Sequence, residues 1–286
     1  MKKILSAYLE LTKPRIVFMI LVTTVLGYYL GGKGINSWPV LFYLIIGVSL
    51  TCAGASVLNQ YLEREYDSKM TRTRNRPIPS GRITADAALT FGIILSLVGL
   101  FILYVEVNIL TAFLSLLTTF LYVMVYTPMK RVSWLNTTVG SVPGAIPPLG
   151  GWAAATGTLD FNAGMLFLIL FVWQHPHFYA IAWLCREDYQ KCGFQMLSVI
   201  DPDGDRMFRH TLFYAAILVP VSIIPVFTGQ TGLLYCIGAL LVGCAQLWIS
   251  QLFVKTRTHA DAVKLLKASV FYLPTIFILI LLDTRF

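Results

Sequence analysis

Three side chains tipped with oxygen, Asn59, Glu63 and Asp67, stand four residues apart in "NQYLEREYD", directly after a long apolar stretch. At 3.6 residues per turn, each step of four advances the helix face by only about 40°, so the three form one slanted stripe. Such a stripe suits a hard divalent cation. Mg2+ typically takes one or two carboxylates, keeps waters and fills its remaining positions with phosphate oxygens. Arginines follow at once, Arg72, Arg74 and Arg76 in "TRTRNRP", and the guanidinium fork matches phosphate. On one reading, acids hold a metal, metal and bases hold a diphosphate, and the apolar surroundings hold a greasy chain attached to it. On the other, Arg72 to Arg82 only set membrane orientation and the acids neutralise them.

A further basic pair ends "YTPMKR", Tyr126 to Arg131. Lys130 there either reaches a phosphate or belongs to an interfacial aromatic followed by orienting charges. In "FVWQHPHFYAIAWLCREDYQ", His175 and His177 flank Pro176 inside an apolar run. The proline opens the local hydrogen-bond ladder, and intramembrane histidines point to function by default. Two residues apart on a helix, they do not share a face, which disfavours one metal bound by both. Contact with a porphyrin iron or propionate, a proton relay and a satisfied structural histidine all stay open. Glu187 and Asp188 either hold a second Mg2+ or balance Arg186 and Lys191.

The elements that must position these groups follow from composition. The chain has 286 residues, 57% of them hydrophobic and 13% charged, with a mean hydropathy of +0.71. That excludes an ordinary soluble domain. Nine windows are long enough to cross a bilayer as helices: 16–35, 39–58, 87–106, 108–127, 134–155, 161–184, 211–228, 231–253 and 268–284. Their continuous apolar runs argue against a β-barrel. Alternating the loops between two sides places 20 of the 22 Lys and Arg on one side, so the expected architecture is all-α and polytopic with a cytoplasmic N-terminus. The net charge of +8 belongs to this topology, and no basic module for nucleic acid is indicated. Five cysteines without a CxxC pair read as buried small hydrophobes. The N-terminus carries no removable signal peptide, and the chain reads as one domain over 1–286. Its longer loops, 64–86 and 185–210, are the expected place for function.

"LTKPRI", "NQYLEREYDSKMTRTRNRPIPSGRI", "YTPMKR", "GSVPGAIPPLGGW" and "WQHPHFYAIAWLCREDYQKCGFQMLSV" together resemble the UbiA superfamily of intramembrane prenyltransferases, and within it the heme O synthases. The acidic motif alone points to the superfamily; the histidine segment followed by "REDY" points to heme. The resemblance implies nine helices around a central cavity in the cell inner membrane, with the site opening to the cytoplasmic side. It implies transfer of farnesyl from farnesyl diphosphate to the vinyl group of heme b, with addition of water, giving heme O. Asn59, Glu63 and Asp67 match the superfamily's metal motif with Glu in the middle position. Lys13, Arg72, Arg76 and Lys130 match its diphosphate-binding bases, and His177 and His175 match the segment associated with heme. Tyr126, Phe178 and Tyr179 would steady an allylic cation by about 0.5–2 kcal/mol. Adjacent Glu187 and Asp188 depart from the superfamily's second DxxxD motif, which puts a second Mg2+ in doubt. Mg2+ is the implied cofactor, heme b a substrate, and a heme A synthase or terminal oxidase assembly a partner left open, beside membrane lipid. Two other readings remain: a UbiA-type enzyme acting on a quinone precursor or chlorophyllide, and a heme carrier or transporter without chemistry.

Overall fold

The computed structural model describes residues 2–285, excepting the side chain of Lys2, whose share of the charge pattern lies outside the described residues. The chain is helical almost throughout. In order come α1 (Lys2–Leu11), α2 (Pro14–Gly31), α3 (Trp38–Asp67), α4 (Ala85–Glu106) and α5 (Ile109–Phe120). A π-helical turn, Leu121–Tyr126, continues α5 into α6 (Thr127–Met129). Then follow α7 (Asn136–Ala145), α8 (Pro147–Thr156), α9 (Phe161–Leu184), α10 (Arg186–Lys191) and α11 (Leu197–Ile200). The chain ends with α12 (Asp205–Ser222), α13 (Ile224–Phe227), α14 (Leu233–Thr256) and α15 (His259–Asp283).

Eight helical runs among the described residues are long and apolar enough to cross a membrane, which makes this a multi-pass membrane protein. The window 134–155 differs from expectation. It holds two helices of ten residues each, about 15 Å long at 1.5 Å per residue, against a hydrocarbon core of about 30 Å. Pro147 and Pro148 have no backbone N–H and crowd the preceding turn, so the helix ends at Ala145 and restarts. The other boundaries are set by caps. Ser37, Thr84, Asn108 and Asp160 each accept a backbone N–H from three residues on, satisfying donors that lipid could not.

Two compact units divide the chain. The first comprises Met1–Val132, Ile146–Leu159 and Asp188–Phe194; the second comprises Ser133–Ala145, Asp160–Glu187 and Gln195–Phe286. Within the first, helices approach through glycine. A Cβ on Gly27 would stand 2.0 Å from the Pro148 carbonyl oxygen, and one on Gly151 would stand 1.8 Å from that of Thr24, so α2 and α8 meet backbone to backbone. Gly47 and Gly54 on α3 face Gly99 and Gly92 on α4 in the same way. Helices in lipid gain little from hydrophobicity and much from such close packing. Ala7, Leu11, Val57, Ile78, Ile83 and Ala88 form one apolar cluster, tying the start of the chain and the 70–84 loop to α3.

The second unit is built on α9, α12, α14 and α15. Arg257 in a left-handed conformation turns the chain between α14 and α15, and the Thr258 side chain caps α15 by accepting from Asp261 N. Phe208, Phe253, Leu265, Met207 and Tyr179 are all essentially buried in its main core.

Substituting Gly151 by Ala should destabilise the protein by about 1–3 kcal/mol, because the Thr24 carbonyl cannot yield to a methyl group. The neighbouring Gly150, which has nothing within 4 Å of its ideal Cβ, should accept Ala with little change. Thermal unfolding of both variants in detergent measures the contrast.

Candidate active site

The last turns of α3 carry the acidic stripe, and in the first unit every member meets a cation. Asn59 is 2% exposed; its Oδ1 accepts from Lys13 Nζ at 3.2 Å and its Nδ2 donates to Thr127 Oγ1 at 2.9 Å. Glu63 accepts from Lys130 Nζ at 2.7 Å. Asp67, 1% exposed, receives Arg76 Nη1 on both oxygens at 2.9 and 2.7 Å. The three cations come from separate segments, and each is placed by local structure. Lys13 adopts a left-handed backbone (φ 50°) just before Pro14, a sparsely populated conformation for a lysine. The π-helical turn rotates the register ahead of Thr127, whose hydroxyl donates to Tyr122 O at 2.8 Å, and so aims Thr127 and Lys130 at α3. Arg76 lies in the loop whose Ile78 and Ile83 are buried beside Val57.

The cations differ in what they face. Burial, and then the nearby Arg76 guanidinium, bring the Lys13 ammonium down to about 7 against the attraction of Glu63, because its direct partner is a neutral amide. Burial opposes the charge on Lys130 as well, yet Glu63 and the phenols of Tyr126 and Tyr122 hold it above the usual lysine range. Tyr126 stacks on Tyr122, with the Lys130 ammonium 4.6 Å from its ring centre, so its face is already occupied by a cation. Of the other nominated bases, Arg72 is exposed and its guanidinium has no partner among the described residues. Only its backbone takes part: Thr71 N and Arg72 N donate to the two carboxylate oxygens of Asp188 at 3.2 and 3.3 Å. Partial desolvation disfavours the Asp188 charge, but these N–H groups and Lys191 outweigh it and lower its pKa. Asp188 therefore pins the arginine loop. Glu187 is exposed.

Among the described residues no group of three His, Cys, Asp or Glu side chains is set to hold a metal. The oxygen donors gathered along this stripe are the Glu63 and Asp67 carboxylates and the Asn59 amide oxygen, hard atoms of the kind a divalent cation accepts beside phosphate oxygens. Lys13, Lys130 and Arg76, which now neutralise this set, are the groups an incoming anion would attract.

The second unit separates the two histidines. His175 is fully buried, its Nδ1 2.8 Å from Phe171 O, its Nε2 3.3 Å from Thr138 Oγ1, and its ring stacked on Tyr214 at 3.6 Å. Both nitrogens are engaged. His177 is half-buried, its Nδ1 2.8 Å from Ser269 Oγ and its ring stacked on Trp173 at 4.9 Å, with no hydrogen bond to Nε2 among the described residues. Phe178 meets the His177 ring edge-on, while Tyr179 is 1% exposed in the core. Sequence reasoning passed over Thr138, His210, Tyr214 and Ser269. His210 lies between Trp134 and Tyr179, and only a helical-wheel argument placing His210 one turn before Tyr214 signals it. Gln246, also passed over, is 2% exposed with both amide ends unpartnered.

Residues 20–275 match the UbiA prenyltransferase family. The protoheme IX farnesyltransferase of Solibacter usitatus is 46% identical, covering 96% of this chain and 98% of that protein. That of Salinibacter ruber is 41% identical over 96% and 98%. Among solved structures, a digeranylgeranylglyceryl phosphate synthase superposes with a TM-score of 0.83 at 19% identity over 99% of both chains. A UbiA homolog from Archaeoglobus fulgidus bound to GPP and Mg2+ gives 0.66 at 15% identity, covering 96% of this chain and 99% of that one. The chain belongs to the UbiA prenyltransferase family.

Proposed function

We propose that this protein transfers a farnesyl group from farnesyl diphosphate to a vinyl group of protoheme IX, with addition of water, and so makes heme O for terminal oxidases. The observation that carries the reading is the pairing of Asn59, Glu63 and Asp67 with Lys13, Lys130 and Arg76, a buried set that presents oxygen donors and cations together. The names of relatives up to 46% identical support protoheme IX as acceptor, and the GPP- and Mg2+-bound homolog supports a prenyl diphosphate as donor. Counted over nine expected crossings, 20 of the 22 basic residues fall on one side, which supports an inner-membrane protein whose diphosphate site opens to the cytoplasm.

Asn59, Glu63 and Asp67 would hold Mg2+, which when bound neutralises charge building on the departing diphosphate. Lys13, Lys130 and Arg76 bind and orient the same diphosphate, the last two exchanging a carboxylate partner for phosphate oxygens. The allylic C–O bond breaks with its electron pair leaving on diphosphate. The vinyl group of the acceptor then forms the new C–C bond, and water adds to the cation left beside the porphyrin ring, losing a proton. No side-chain nucleophile is required. His177, whose Nε2 lacks a partner among the described residues, is the histidine assigned to the heme; His175 is assigned to structure. Tyr126 lies under Lys130 in the first unit and Phe178 against His177 in the second, whereas buried Tyr179 packs the core.

Incubating the purified protein with heme b, farnesyl diphosphate and Mg2+ should yield pigment heavier by farnesyl plus water, with a chelator abolishing the gain. Unchanged heme beside a prenylated aromatic acceptor would overturn the reading. Asp67→Asn leaves Arg76 without its charge partner and should lower turnover on the order of 10²–10³-fold. His177→Ala should weaken heme b binding in a Soret titration with little change in Tm. His175→Ala should instead lower stability by about 2–5 kcal/mol, as expected for an emptied core site. Asp188→Ala should speed hydrogen exchange at Thr71 and Arg72, and slow turnover less than Asp67→Asn does.

A further inference from the structure

The hydrogen bonds around His177 fix more than its position. The Ser269 hydroxyl has one hydrogen, and Oγ donates it to Leu266 O at 2.7 Å, one turn back on α15. Toward His177 Nδ1, at 2.8 Å, the same oxygen can only accept. With that hydrogen so committed, the arrangement favours the ring proton on Nδ1 and the lone pair on Nε2. Ser269 is fully buried, and its backbone carbonyl also accepts from Trp173 Nε1 at 2.8 Å. Trp173 is the residue whose ring stacks on His177, at an interplanar angle of 23°. One residue of α15 thus sets the tautomer directly and the ring plane through Trp173, while Phe178 meets the ring at 76°.

His175 supplies the contrast within the same helix. Phe171 O can only accept, so the His175 Nδ1 is also protonated, but its Nε2 faces the Thr138 hydroxyl at 3.3 Å. With both rings as Nδ1–H tautomers, the two imidazoles differ in one respect: the His175 Nε2 faces a hydroxyl, and the His177 Nε2 has no hydrogen-bond partner among the described residues.

We propose that Ser269 is a positioning residue that holds His177 as the Nδ1–H tautomer and presents its Nε2 lone pair to the metal of a porphyrin acceptor. The ligand class is a metalloporphyrin, as opposed to a porphyrin ring recognised by shape alone. This rests on the reading that the acceptor is heme b, although the tautomer does not. Hydrogen-bond partners of metal-bound imidazoles fix ring orientation and raise basicity, and their loss typically weakens metal affinity by about 10–100-fold.

The test has two arms on the full chain in detergent. In the first, without heme, nitrogen NMR of protein labelled in histidine should show Nδ1–H tautomers for both His175 and His177. Ser269→Ala should shift only the His177 signals toward a tautomer mixture, and Ser269→Thr, which keeps the hydroxyl, should restore them. The unchanged His175 signals report that the fold holds; where Ser269→Ala does not fold, Ser269→Cys is read in the same way. A His177 protonated at Nε2 in the unaltered protein overturns the inference whatever the substrate is. In the second arm, Ser269→Ala should weaken heme b binding about 10–100-fold in a Soret titration and leave metal-free protoporphyrin IX unaffected. Equal losses for both pigments, or no loss for heme b once the tautomer has shifted, would overturn the presenting role. Failure of His177→Ala to alter heme b binding, with the tautomer as inferred, would overturn the presenting role while the tautomer assignment stood; the heme reading itself falls only if heme b is left unchanged and another acceptor is prenylated.

Discussion

Charge cannot be left unpaired where water is scarce, and the end of α3 places two carboxylates and an amide there at once. Buried ions lose several kcal/mol of hydration each, and they persist when a partner lies in contact and the remaining polar atoms are bonded. Glu63 and Asp67, 6% and 1% exposed, meet that condition only because Lys130 and Arg76 arrive from elsewhere in the chain. The first unit is organised around delivering those partners. Lys13 is carried at the start of α2 in a strained backbone conformation, Lys130 follows a π-helical turn, and Arg76 sits on a loop anchored by Ile78, Ile83 and the Asp188 carboxylate.

Such a cluster is suited to exchange. Each cation has an oxygen partner now and would find another in a diphosphate, while each oxygen freed would find one in a metal ion. The interior need not carry a large uncompensated charge in either condition, as the cost of isolated buried ions demands. The small residues serve the same end. Gly27 and Gly151 allow α2 and α8 to touch along their backbones, and Gly47 and Gly54 do so for α3 and α4, which fixes the helices that bear Lys13 and the acidic stripe.

The histidine segment follows a different logic. Around α9 the second unit uses single, directional hydrogen bonds, so that donor and acceptor arithmetic decides what each imidazole offers. A carbonyl and a hydroxyl saturate His175. A serine whose hydrogen is already committed leaves His177 with a lone pair. One is bonded at both ring nitrogens within the core, and the other keeps a ring nitrogen without a partner among the described residues.

Much of this was legible in the chain alone. Hydropathy located the crossing helices, since a bilayer leaves little latitude in length and composition, and the i, i+4, i+8 spacing placed Asn59, Glu63 and Asp67 on one stripe. Between the windows ending at 106 and starting at 108 the chain does break, and there the Asn108 side chain caps α5 by accepting from Thr111 N. Other features depended on the tertiary structure, because they are relations between segments far apart in sequence. No local pattern pairs Lys13 with Asn59 or turns Asp188 toward Thr71 and Arg72. Nor could it distinguish two histidines flanking one proline. Their types and spacing are fixed by sequence, but the hydroxyls that tell them apart belong to Thr138 and Ser269, 37 and 92 residues away, and only the packed helices bring those hydroxyls to the rings.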